Sequence, residues 1–140
     1  MAHTYTTSFV RELADATHDL DTDTLKLALY SSSATLSAAT TAYATTNEVS
    51  GSGYTAGGVT LTLKSGYPQT AGNGVGRLFT FNDAEWTAAT FISSYGLIYN
   101  SSKANRAILV LDFGSPRTVN VSTFAVRFPA SLPAIIRIGG

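Results

Sequence analysis

Residues Asn47–Leu63 read NEVSGSGYTAGGVTLTL. Four glycines, Gly51, Gly53, Gly57 and Gly58, crowd into a polar loop, and glycine is the residue that takes up positive φ at no steric cost. Val59, Leu61 and Leu63 then alternate with Thr60 and Thr62, the period of a half-buried strand. A sharply folded surface loop therefore delivers the chain into a sheet over 57–63. No catalytic group sits in this run.

Outward from that loop the same grammar repeats. Upstream, Leu25, Leu27 and Leu29 alternate with Lys26 and Ala28, a strand over 24–30. Downstream, short apolar runs at 77–82, 95–99 (YGLIY), 107–113 (AILVLDF), 118–128 and 134–138 read as strands. YGLIY and AILVLDF are apolar at every position that matters for both faces, which makes them central. Turn signals separate the runs: KSGYPQTAGNGVG at 64–76, Asn100–Asn105, Gly114-Ser115-Pro116, and a bend bracketed by Pro129 and Pro133. In 118–128 the apolar parity switches at Ser122-Thr123, the mark of a bulge.

The one helix signal is residues 7–16, with Phe9, Val10, Leu13 and Ala14 on one stripe and Thr7 or Ser8 as cap. Its stripe must pack on a sheet face or a neighbouring subunit. The expected fold is therefore all-β: one antiparallel β-sandwich or jelly roll of about seven to eight strands with a short N-terminal helix. It spans 1–140 as a single domain, with residues 1–6 a tail and 31–58 a long polar loop or arm. Within that arm SSSATLSAATTAYATT, 31–46, is low in complexity.

Composition bounds the function. Charged residues are 13% of the chain and nine acids balance nine bases, so nothing here forms an electrostatic footprint for nucleic acid or an anionic membrane. Thr and Ser, 20 and 15 residues, make a quarter of the chain, and such a surface is cheap to desolvate against protein neighbours. There are no cysteines, which removes disulfides and thiolate metal sites. The first twenty residues lack the basic start and apolar run of a signal peptide, and no apolar stretch approaches the roughly 20 residues of a membrane helix.

Asp19, Asp21 and Asp23 resemble the start of a calcium loop, but Thr24 and Tyr30 stand where that loop needs Gly and Glu; a solvated turn is the simpler reading. The glycine runs at 51/53 and 72/74/76 lead into strands, which is not the context of a phosphate loop. The histidines are His3 and His18, neither in a nucleophile motif. Asp83 and Glu85 lie two apart on an extended segment beside Trp86 and point together to solvent, whereas a glycosidase pair comes from separate elements. The expectation is no enzyme activity, no cofactor and no metal. Trp86 reads as core, and the loop tyrosines Tyr43, Tyr54 and Tyr67 as interface anchors or a sugar-stacking platform.

The run E-V-S-G-S-G-Y-T-A-G-G-V-T-L resembles a signature of small tailed-bacteriophage virion proteins. D-L-D-T-D-T-L-K-L-A-L-Y upstream, and F-N-D-A-E-W-T-A-A-T-F-I-S-S-Y-G-L-I-Y-N and L-V-L-D-F-G-S downstream, extend the resemblance over residues 7–128. The C-terminal F-P-A-S-L-P-A-I-I-R-I-G-G departs from it by its two prolines. The resemblance implies a head decoration (cement) protein on the exterior of the phage head, assembled in the host cytoplasm. Its partners would be the major capsid protein and itself, as homodimer or homotrimer, with no nucleic acid and no membrane. Phe9, Leu13, Tyr43, Tyr54 and Tyr67 would be contact residues. The alternative it implies is a tail, baseplate or fibre component, with host-glycan contact through the tyrosines.

Overall fold

A computed structural model describes residues 1–72, 74, 76–129 and 134–138. In chain order the elements are β1 (Ala2–Tyr5), α1 (Thr7–Ala14), β2 (Leu25–Tyr30), β3 (Val59–Thr60), β4 (Gln69–Thr70), β5 (Arg77–Phe79), β6 (Ala84–Asn100), β7 (Arg106–Val126) and β8 (Ile136–Ile138). They form two antiparallel sheets, ordered β1-β7-β6-β2-β3 and β4-β5-β8. The all-β, antiparallel expectation holds. The bend between Pro129 and Pro133 falls largely outside the described residues.

The spine is one long hairpin. The expected strands 95–99 and 107–113 are the inner halves of β6 and β7, which turn through Ala104 and Asn105, both at positive φ. Both inner halves are central, as their two-sided apolar runs require. Leu25, Leu27, Leu29, Ile98, Leu109 and Leu111 face a core shared with α1, β5 and β8. Ala28, Tyr30, Leu97, Tyr99, Ala107 and Val110 bury the opposite face.

Four expectations about the strands and the helix need correction. Residues 1–6 are no tail: β1 pairs with β7 from Ala2–Asp112 to Tyr5–Leu109, because β7 offers an unfilled edge there. Gly114-Ser115-Pro116 does not end a strand. Between the pairs Tyr95–Asp112 and Ser93–Arg117 the chain of β7 loops out around these residues and then continues, a bulge that tolerates proline's missing donor. The strand expected at 57–63 pairs regularly only at Val59 and Thr60, with further contacts at Leu61 N–H to Leu25 O and a bridge of Leu63 to Phe81. Finally, Thr6 caps α1, its Oγ1 accepting from Phe9 N and donating to Ala107 O. The helix buries Ser8, Phe9 and Glu12, while Val10 faces solvent.

The 31–46 segment is a packed cover and not a free arm. Ala34, Leu36 and Tyr43 lie on the second sheet face. Thr7 N–H bonds to Ala38 O, Ala107 N–H to Thr41 O, and Tyr43 N–H to Asn105 O. The chain then returns alongside β2, with Ser31 N–H on Asn47 O and Val49 N–H on Leu29 O.

A candidate contact surface: the Glu48 clamp and the outer half of the hairpin

The glycine-rich run folds around one carboxylate. Glu48 Oε2 accepts from the Tyr43 hydroxyl at 2.7 Å, and Oε1 accepts from the Tyr54 hydroxyl and Gly57 N–H, each at 2.7 Å. The Tyr54 oxygen accepts in turn from Leu29 N–H at 2.9 Å, and the Tyr99 hydroxyl donates to Gly57 O at 2.7 Å. Tyr43 stacks on Tyr99 with ring centroids 4.7 Å apart, and Tyr54 stacks on Trp86 at 6.2 Å. Charge-assisted bonds of this length are the stronger kind.

Two glycines make the fit possible. Gly58, at φ +76, lies so close to β2 that a Cβ there would overlap the Leu27 carbonyl and come within 2.8 Å of Ala28 Cα. Gly53, at φ +82, lies against Ala89 and Thr87 of β6 in the same way. Burial raises the pKa of Tyr54, Tyr43, Tyr30 and Tyr99 above the ordinary phenol, and the negative Glu48 raises each further. These hydroxyls are protonated donors at neutral pH.

A second polar cluster sits where α1 meets the hairpin turn. Glu12 Oε1 takes a bond from His18 Nε2 at 3.1 Å and Oε2 one from Arg106 at 2.6 Å. Asn100 Nδ2 bonds both to His18 Nδ1 at 3.0 Å and to Asp23 Oδ2 at 2.7 Å, which makes Nδ1 the acceptor and puts the proton on Nε2. Lys103 reaches Asp23 Oδ1 at 3.2 Å. The His18 side chain is fully buried. A Glu–His pair is a common proton-transfer arrangement, but here every polar atom of the pair is already bonded inside the protein.

The sequence-derived candidates divide accordingly. Phe9 is 1% exposed, between Tyr5 and His18, so it contacts core and not a partner. Leu13 is half-buried against the same core. Tyr43 and Tyr54 face inward to Glu48, and Tyr67 rests on Ala71, Leu78 and Ala134. Trp86 is core, as expected, at 3% exposure. Asp23 is spent on Asn100, Lys103 and the Asp19 N–H, and among the described residues no three metal-ligating side chains converge. Asp83 pairs with Arg127 at 2.7 Å, while Glu85 is exposed on β6. No described helix is long and apolar enough to cross a membrane.

What the sequence reading missed is the outer half of the hairpin. Along β7 the edge away from β6 is filled in order by residues 41–43, Thr6 and β1, up to Asp112. Beyond Asp112 no described strand pairs with it. The open edge borders a groove of about 500 Å³ lined by Met1, Phe113 and residues 117–120 and 122–127.

Comparison with family models, curated proteins and solved structures gives no match.

Proposed function

We propose that this chain is a structural component of a tailed-bacteriophage particle, of the head decoration (cement) type. In this reading it is an antiparallel sandwich that binds the outer shell beside the major capsid protein, in many copies, and ties capsomers together. The observation that carries the reading is the Asn47–Leu63 run. Among the residues that make it resemble a virion signature, Glu48, Tyr54, Gly57 and Gly58 interlock the loop with β2, and Gly51 and Gly53 seat it on β6.

The signature is thus a device for stiffness, and stiffness is what a cement protein contributes. Many copies make weak individual contacts sufficient. A non-catalytic role is supported by the way Glu12, His18, Asp23 and Arg106 satisfy one another. Glycan contact through Tyr43 and Tyr54 is disfavoured, since both hydroxyls already serve Glu48.

Quantitative mass spectrometry of purified particles tests the proposal. The expected result is a copy number comparable to that of the major capsid protein. A handful of copies per particle overturns it, and density on the tail by cryo-electron microscopy would then make this a tail, baseplate or fibre component.

A further inference from the structure

We draw no further inference here: the strongest candidate, the open outer edge of β7 over residues 117–126 with the groove beside it, is flanked by Arg117 and by Arg127, the latter already paired with Asp83, and nothing in the structure shows what covers it.

Discussion

At the tip of the β6–β7 hairpin, Glu12, His18, Asn100 and Asp23 bind segments far apart in the chain; on the sheet beside it, Glu48 binds residues all within about a dozen positions of itself. Both clusters are built on a carboxylate with short bonds. The first works by neutralising charge, because Arg106 and Lys103 stand against Glu12 and Asp23. The second works by neutral donors, the hydroxyls of Tyr43 and Tyr54 and the N–H of Gly57. The difference teaches how each region fails: one when its carboxylates gain protons, the other when its phenols lose them or its backbone cannot approach.

The sharpest way to break the Glu48 region is through the backbone. Gly58→Ala places a Cβ on the Leu27 carbonyl at a positive φ. The obstruction is backbone of a central sheet and cannot swing aside. The expected loss is more than about 3 kcal/mol, enough to leave much of the chain unfolded. Gly72→Ala is the control, since nothing lies within 4 Å of its would-be Cβ, and it should stay within about 0.5 kcal/mol of wild type. Urea titrations of the two variants measure the contrast. Equal midpoints would mean that close approach of loop and β2 is not what fastens the signature.

Acid and base separate the regions next. Burial alone would raise the carboxyls of Glu12 and Asp23. The bonds from His18 and Arg106, and from Asn100, Asp19 and Lys103, more than offset this and hold both below their ordinary values of 4.5 and 3.8. A depressed carboxyl contributes stability that is full above the unfolded value and is lost as pH falls through the folded one. The tyrosines run the other way: their raised pKa values contribute stability that is full below the ordinary value of 10.0 and is lost as pH climbs above it. Hydrogen exchange should therefore show the 12–23 and 100–106 segments opening first in acid and the 43–58 segment first in alkali. Spectrophotometric titration should show a late-ionising group of tyrosines that vanishes on unfolding. The same segment opening first at both extremes would erase the distinction.

How far each region could be read in the sequence follows from the range of its contacts. The glycine conformations of the 51–58 loop were legible, because positive φ is a local demand, and Gly53, Gly57 and Gly58 meet it. The central place of YGLIY and AILVLDF was legible from their lack of a polar face. Trp86 was legible as core from its large apolar ring alone, since its neighbours Glu85 and Thr87 are polar and exposed. The Glu12 cluster was not: its wheel position puts Glu12 outside the apolar stripe, and only His18 and Arg106, which reach its carboxylate from other segments, make burial of that face favourable. Nor was β1 legible, since AHTY has no alternation of its own and is a strand only because β7 has an edge to fill. The 31–46 cover shows the same limit. Its small residues look like a loose arm until Tyr43 meets Tyr99.

The finest distinction lies inside the Glu48 clamp, between two tyrosines that look equivalent in sequence. The Tyr54 oxygen both donates to Glu48 and accepts from Leu29 N–H in β2. Tyr54→Phe strands that buried donor and should cost about 1–3 kcal/mol. The Tyr43 hydroxyl donates to Glu48 and otherwise meets the Gly57 N–H, which Glu48 itself already holds, at the half-exposed outer side of the cluster, where water can take its place beside the carboxylate. The ring stays stacked on Tyr99 when the hydroxyl is removed. Tyr43→Phe should therefore cost only about 0.5–1 kcal/mol, and the double variant should fall short of the summed losses, because both hydroxyls share one carboxylate. Thermal or urea unfolding of the two single variants and the double gives the coupling directly. A Tyr43→Phe loss as large as that of Tyr54→Phe would show that the charge on Glu48, and not the stranded Leu29 donor, sets the strength of the clamp.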